Sequence, residues 1–80
     1  MSTIDKLKQL VMEVSRGRLS ESALTPDARL EEDLGFDSLA QSELIVLMED
    51  EFHITVGTED AGKITTIADI LAFIEENTAS

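Results

Sequence analysis

A serine that could be covalently modified lies at position 38, within the run Leu-Gly-Phe-Asp-Ser-Leu at 34–39. Asp37 is a preferred N-cap residue, because its carboxylate accepts hydrogen bonds from the exposed amides of a first helical turn. The hydroxyl of Ser38 would lie in that turn, where the amide dipoles stabilise an incoming phosphate. Gly35 allows a sharp change of chain direction just before it. The run therefore suggests phosphate chemistry at Ser38, although Asp37 and Ser38 alone also fit a plain helix cap.

Ser38 has no evident partner with which to act as a catalytic nucleophile. The single histidine, His53, belongs to the far end of the same predicted helix, about 22 Å away at 1.5 Å per residue. A nucleophile and its base must lie about 3 Å apart. The sequence contains no Cys or Tyr, and Lys63 is not expected to reach Ser38. We therefore predict that the chain is not an enzyme.

Two carboxylate runs, at 31–33 and 49–51, raise the question of a metal site, since carboxylates bind calcium and magnesium. Neither run has the alternating ligands, central glycine and final glutamate of a twelve-residue calcium loop. A run of like charges is most often a solvated face. We predict no dedicated metal site.

The composition excludes several other classes of protein. The 80 residues contain 17 Asp and Glu against 6 Lys and Arg, a net charge of −11, and no Cys. A chain without cysteine has no disulfides and no thiolate metal site. Its apolar stretches, such as the one at 44–48, are too short to span a bilayer, and its first residues do not resemble a secretion signal. We expect a cytoplasmic protein that nucleic acid and anionic membranes repel and that basic proteins attract.

Apolar periodicity and capping signals predict an all-α fold, a small four-helix bundle in a single domain covering 1–80. A first helix contains Ile4 to Val14 and a second runs from the Asp37 cap to about Phe52, with Leu44, Ile45, Met48 and Phe52 facing the core. A long loop between them is held to the core by Leu19, Leu24, Leu30, Leu34 and Phe36. A short turn of helix at 59–63 precedes a last helix that begins at Thr66 and frays from Asn77. Ser2 with Asp5, and Thr66 with Asp69, form possible capping boxes.

The second helix has an unusual exposed face. Leu39 and Val46 are apolar, and they are framed by Glu43, Glu49 and Asp50 with no cation among them. Between Arg29 and Lys63 the chain carries ten acidic residues and no Lys or Arg. Such a face would attract a basic protein surface over a long range.

The order and spacing of several motifs resemble those of the acyl carrier proteins. The matching segments are Asp37-Ser38-Leu39 after Leu34-Gly35, then Glu43-Leu44, then 49–52 (Glu-Asp-Glu-Phe), and 59–67 at the short third helix and the entry to the last. The resemblance covers essentially the whole chain. It implies that Ser38 is esterified with 4′-phosphopantetheine, taken from coenzyme A by a separate phosphopantetheinyl transferase. Asp37 would help to place the metal and the coenzyme on that transferase. Leu39, on the other side of Ser38, would belong to the same cofactor-binding site.

The resemblance also implies a function and partners. The prosthetic group ends in a thiol that carries acyl chains as thioesters between enzymes of fatty acid, specialised lipid or polyketide biosynthesis. The second helix would dock on basic patches of acyl-transfer and synthase enzymes through Leu39, Glu43, Val46, Glu49 and Asp50. Residues similar to those that enclose a bound acyl chain are Leu44, Met48, Phe52, Val56, Ala61 and Ile64. Ordinary core packing accounts for these apolar residues equally well.

Some positions depart from the common pattern of fatty-acid carriers. Ala40 stands where an acidic residue is frequent, Phe36 where alanine is frequent, and Gly57 where proline is frequent. The pathway therefore stays open. A peptidyl or D-alanyl carrier would share the modification and differ in cargo. An unmodified acidic helical module that only binds a basic protein would explain the charged face, but not Ser38 or the long loop. We expect a monomer in each case.

Overall fold

Four α-helices account for most of the computed structural model, which describes residues 2–78. They are α1 (Thr3–Ser15), α2 (Ser38–Phe52), α3 (Thr58–Lys63) and α4 (Ile67–Thr78). Within the described residues the only β-type pairing is a single antiparallel bridge between Arg29 and Thr66. The predicted all-α bundle of three main helices and one short helix is confirmed. No helix within 2–78 is both long and apolar enough to cross a membrane.

The predicted capping box at Thr66 and Asp69 is complete, whereas at Ser2 and Asp5 only the bond to the N-cap hydroxyl is formed and the Asp5 carboxylate binds that hydroxyl instead of the Ser2 amide. The Ser2 hydroxyl accepts a hydrogen bond from the Asp5 amide at 3.3 Å and donates one to the Asp5 carboxylate at 2.8 Å. At the start of α4 the Asp69 amide donates to the Thr66 hydroxyl, and the Thr66 amide donates to the Asp69 carboxylate. These side chains bind amides that have no partner within the helix, so they fix where α1 and α4 begin.

The predicted fraying from Asn77 is wrong for Asn77 and Thr78. Both continue α4, and their side chains donate hydrogen bonds to the carbonyls of Phe73 and Ile74 at 2.8 and 2.7 Å. Each of these bonds is made to the carbonyl four residues earlier, a common position for a polar side chain within a helix. Residues 79–80 lie outside the described part of the chain.

The core lies between α1, α2 and α4. Its fully buried side chains are Leu7, Val11, Leu44, Met48, Ile67, Ile70 and Ile74. Helix α3 contributes no buried residue, although Ile64 directly after it is 9% exposed. Ile45, which the helical period placed on the core stripe, is only half-buried and lies outside the core cluster. The period gives the direction of a side chain but not the distance to a neighbouring helix.

The long loop between α1 and α2 is a structural part of the core. It buries Leu24, Ala28, Leu30, Leu34 and Phe36, each 7% exposed or less, and it contains an unpredicted 3-10 turn at Glu21–Ala23. Half-buried Leu19 packs against the same core. The predicted attachment of the loop to the core is confirmed.

Backbone hydrogen bonds also connect this loop to the start of α4. The Leu30 amide donates to the Thr65 carbonyl at 2.9 Å, the Ile67 amide to the Ala28 carbonyl at 3.1 Å, and the Ala68 amide to the Pro26 carbonyl at 3.0 Å. The loop therefore approaches α2 from a position fixed by two other parts of the fold.

Candidate functional site

The chain enters α2 through a tightly held turn. Gly35 has φ +70°, a left-handed conformation that glycine adopts without a steric cost. The next residue, Phe36, is 4% exposed, and its amide donates to the Leu30 carbonyl at 2.8 Å. Its carbonyl accepts a hydrogen bond from the Gln41 side chain at 3.0 Å. The residue two positions before Ser38 is therefore anchored by its side chain and by both of its backbone polar groups.

Asp37 is the N-cap of α2, as predicted. Its carboxylate accepts a hydrogen bond from the Ala40 amide at 2.8 Å, and its carbonyl accepts one from the Gln41 amide at 2.9 Å. Ser38 is the first residue of the helix and its side chain is exposed. Within residues 2–78, the amides of Ser38 and Leu39 have no hydrogen-bond acceptor. An exposed hydroxyl beside two free amides at a helix N-terminus suits a phosphate ester.

The histidine lies at the opposite end of α2. His53 is the C-cap, in the left-handed conformation with φ 55°, and it is exposed. The fifteen residues of α2 correspond to about 22 Å of helix. His53 therefore cannot act as a base for Ser38 in this fold.

The exposed face of α2 has the predicted arrangement at four of its five positions. Leu39 and Val46 are 69% and 61% exposed, the two large apolar side chains that stand out in solvent within the described residues. Glu43 and Asp50 on the same side are also exposed. We call Leu39, Glu43, Val46 and Asp50 the acidic face.

Glu49 differs from these four residues. It is half-buried, and its carboxylate accepts a hydrogen bond from the Val56 amide at 2.9 Å. The side chain thus connects the last turn of α2 to the segment that leads into α3. Helical spacing placed Glu49 near the acidic face, but nothing in the sequence pointed to Val56 as its partner.

Of the six residues predicted to surround an acyl chain, three lie on α2 and three lie in or next to α3. Leu44 and Met48 are at the centre of the core, 1% and 0% exposed, and Ile64 is 9% exposed. Phe52 and Val56 are half-buried and pack against this core, and Ala61 of α3 is half-buried. The structure thus brings most of the set into one apolar cluster, which serves as core in the state described.

A groove that sequence reasoning missed lies on the other side of α2, next to the end of α1. Its volume is about 320 Å³, and its lining includes Arg16 and Arg18 after α1 together with Asp37, Leu39 and Glu43 of the α2 region. The cations and the carboxylates are more than 15 positions apart in the sequence. Only the packing of α1 against α2 brings them together.

The carboxyl group of Asp69 has a pKa below its ordinary value of 3.8, because it accepts hydrogen bonds from the backbone amides of Thr65 and Thr66. Both bonds measure 3.0 Å. Hydrogen bonds to a carboxylate favour its charged form. This group stabilises the junction at which the long loop contacts α4, and it does not belong to the Ser38 site.

Comparison with known proteins identifies a family over nearly the whole chain. The family described as the phosphopantetheine attachment site matches residues 5–74. The chain is 38% identical to an acyl carrier protein of Solidesulfovibrio magneticus, over 95% of each chain. It is 40% identical to an acyl carrier protein of Rickettsia canadensis, over 95% of this chain and 91% of that one.

A solved structure shows the same fold. It is described as an acyl carrier protein of Mycobacterium tuberculosis and superposes with a TM-score of 0.80 at 31% identity, over 89% of this chain and 92% of that chain. Acyl carrier proteins are carriers rather than enzymes, and they hold a covalently attached 4′-phosphopantetheine group. They interact with phosphopantetheinyl transferases and with acyl-transfer or synthase enzymes. Because sequence and fold agree over almost the full length, this chain belongs to the acyl carrier proteins.

Proposed function

We propose that Ser38 is the residue that carries the 4′-phosphopantetheine group, and that the chain delivers acyl thioesters between enzymes of fatty acid, specialised lipid or polyketide biosynthesis. The observation that supports this most directly is the position of Ser38. Its side chain is exposed at the first residue of α2, directly after a capped and anchored turn. The hydroxyl is accessible to a transferase while the backbone that presents it is fixed.

The proposed modification is a phosphoryl transfer to the Ser38 hydroxyl. The hydroxyl oxygen forms a bond to the phosphorus that carries the pantetheine in coenzyme A, and the bond from that phosphorus to the 3′,5′-ADP portion breaks. The hydroxyl proton passes to a base on the transferase, since His53 is at the far end of α2. The free amides of Ser38 and Leu39 provide two donors for the new phosphodiester.

When bound, the group supplies the thiol on which an acyl chain is held as a thioester. This chain has no cysteine, so the polypeptide offers no thiol of its own that could compete for the acyl group. Asp37 would contribute in two ways. Its carboxylate holds the first turn of α2 through the Ala40 amide, and its charge lies next to the serine where a transferase-bound metal would approach.

The acidic face is proposed as the surface that docks on successive enzymes. Its carboxylates would attract a basic patch from a distance and so speed encounter. Exposed ion pairs contribute only about 0–1 kcal/mol each, so the carrier could also leave quickly. Leu39 and Val46, both largely exposed, would provide a small apolar contact at the centre of the face.

The cluster at Leu44, Met48 and Ile64 is proposed as the place where an acyl chain is enclosed. Helix α3 has no buried residue of its own, so it could move away from α2 with little loss of apolar burial. An alkyl chain would gain more from such an apolar site than a peptidyl or D-alanyl cargo would. Analysis of the native thioester would distinguish these cargoes and the pathway.

Intact mass spectrometry tests the attachment. Incubation with a phosphopantetheinyl transferase, coenzyme A and magnesium should add the mass of one phosphopantetheinyl group to the wild type and to Ser42→Ala, which removes an exposed serine one turn further along α2. Ser38→Ala should keep its original mass. An unmodified wild type would exclude the proposed function and favour an acidic module that only binds protein. A modified Ser38→Ala would place the group elsewhere.

A further inference from the structure

The groove beside the acidic face has charges of both signs on its rims. Arg16 and Arg18 extend from the turn that follows α1, and Asp37 and Glu43 belong to the α2 side. All four residues are exposed. Leu19, half-buried, and Leu39 contribute apolar surface between them. The result is a shallow depression with an apolar floor, cations on one side and carboxylates on the other.

Neither arginine has an ion-pair partner within residues 2–78. The two ion pairs of the described chain join Lys8 to Glu21 and Arg29 to Glu32. Lys6 and Lys63 have no ion-pair partner within these residues either, but Arg16 and Arg18 are the two cations that line the groove. Arg16 and Arg18 remain unpaired even though Asp37 and Glu43 line the same groove. Their guanidinium groups are therefore available to an anion from outside the chain.

We propose that the docking surface extends from the acidic face across this groove, and that Arg16 and Arg18 bind an aspartate or glutamate side chain of the partner enzyme. This rests on the proposed function, since it assumes that the acidic face docks. The matching partner surface is not uniformly basic. It has cations opposite Glu43 and Asp50, an apolar side chain for the groove, and a carboxylate at the edge that meets Arg16 and Arg18.

A carboxylate of the partner fits this groove better than the phosphate of the carrier's own prosthetic arm. Ser38 does not line the groove, whereas Leu39 and Glu43 do. At about 100° per residue, Glu43 lies about 140° around the helix axis from Ser38. The phosphodiester on Ser38 would therefore be attached outside the groove, next to Asp37, whose negative charge lines the groove and disfavours a phosphate there.

The two arginines at one edge of an otherwise acidic surface would restrict the orientation in which the carrier docks on its partner. A uniformly acidic helix can meet a basic patch in several rotations with similar energy, because exposed charges interact over a long range and with little angular preference. Two cations at one rim make the wrong rotations unfavourable, since they would then face the partner's own cations. The groove would thus orient Ser38 relative to the enzyme.

The proposal predicts that removing the arginines raises the KM for the carrier, whereas simple charge attraction predicts that it falls. Replacing Arg16 and Arg18 by glutamine makes the chain more acidic, so attraction to a basic enzyme alone would lower the KM for the carrier. Loss of contacts with a partner carboxylate would raise it. We expect Arg18→Gln to raise this KM about twofold and Arg16→Gln/Arg18→Gln about fivefold at low ionic strength, from exposed pairs worth up to about 1 kcal/mol each. Salt should reduce both effects.

The test uses the phosphopantetheinyl transferase that modifies the wild type, with the carrier as the varied substrate and modification followed by mass spectrometry. Lys6→Gln is the matched control, because it removes one positive charge near the other end of α1. Its KM should stay equal or fall slightly. Circular dichroism melts show whether each variant is folded, and Arg18→Gln is the safer variant because Arg16 is the C-cap of α1.

The outcomes separate this inference from the proposed function. Normal modification of the wild type together with an unchanged or lowered KM for the double variant would overturn the role of the arginines and leave Ser38 as the attachment site. If the transferase does not modify the wild type, the proposed function itself is wrong. A raised KM for Arg18→Gln and for the double variant, with none for Lys6→Gln, supports the groove as part of the docking surface.

Discussion

The two connections that leave α2, one at each end, are held in very different ways. The α1–α2 loop buries five apolar side chains, from Leu24 to Phe36, and three backbone hydrogen bonds attach it to the start of α4. The segment from His53 to Lys63 has no buried residue. The Glu49 carboxylate holds it to α2 through the Val56 amide, and the Ile54 amide donates to the Glu49 carbonyl at 3.2 Å.

This difference separates two requirements of a carrier. The loop leads directly to Ser38, and if Ser38 carries the prosthetic group as proposed, the loop has to present its hydroxyl in a constant position. The segment after α2 packs against the core only through half-buried side chains such as Ile54 and Val56, and it would have to move if an acyl chain is to enter as proposed. Segments with few buried apolar contacts open at the lowest free-energy cost. We therefore expect the Ser38 end of α2 to be the firm end and the α3 end to be the adaptable one.

The largest loss of stability should come from truncating Phe36, the buried side chain that anchors the Ser38 end of α2. Phe36→Ala should lower the free energy of unfolding by about 3–5 kcal/mol, because it leaves a cavity under the entry to α2. Leu39→Ala, three residues later but 69% exposed, should change it by less than about 0.5 kcal/mol. Urea denaturation measures both. Similar small losses for the two variants would show that the loop does not depend on its buried side chains.

A smaller effect is expected at the junction of the loop with α4. Asp69→Asn should lower the free energy of unfolding by up to about 1 kcal/mol at pH 7, because asparagine keeps an oxygen acceptor but loses the negative charge that the first turn of α4 favours. Because the pKa of Asp69 is lowered in the folded chain, its contribution is complete above the ordinary value of 3.8 and is lost as the pH falls through the lowered pKa. The difference between wild type and variant, measured by urea denaturation from pH 7 to pH 3, should therefore shrink only below about pH 4. A constant difference would contradict this.

The adaptable end offers a test that distinguishes charge from hydrogen bonding. Glu49→Ala removes the acceptor of the Val56 amide and should cost about 1 kcal/mol, with faster hydrogen exchange at Val56 and through α3. Glu49→Gln keeps a carbonyl acceptor and should retain most of the protection. Amides of the α1–α2 loop, such as that of Leu30, should be unaffected in both variants. Equal exchange in the two variants would mean that the hydrogen bond does not hold the segment.

The smallest change in stability is expected at His53, the first residue of the segment that connects α2 to α3. His53 has φ 55°, a conformation that strains a residue with a side chain by about 1–2 kcal/mol. His53→Gly relieves that strain, and the greater freedom of glycine in the unfolded chain offsets part of the gain. The net result should be a stabilisation of about 0.5 kcal/mol. His53→Ala keeps a Cβ atom and should show no gain in thermal melts, which makes it the control.

Much of the architecture could be predicted because the signals are local. The caps at Ser2, Asp37 and Thr66 depend on residues three positions away, and the helical stripes depend on spacings of three and four. The candidate attachment site follows for the same reason, since Asp37 and Ser38 need only the first turn of α2 to define their geometry. The charge balance likewise indicated a basic partner without any structure.

What the sequence did not show depends on contacts between distant segments. The Glu49–Val56 hydrogen bond, the half-buried position of Ile45 and the groove with Arg16 and Arg18 all depend on how close two elements approach. Spacing along one helix gives a direction around its axis but no distance to its neighbour. The sequence alone thus determined the helices and the serine at the head of α2. Only the packing of α1, α2 and α4 decided which charges meet and which end of α2 is held firmly.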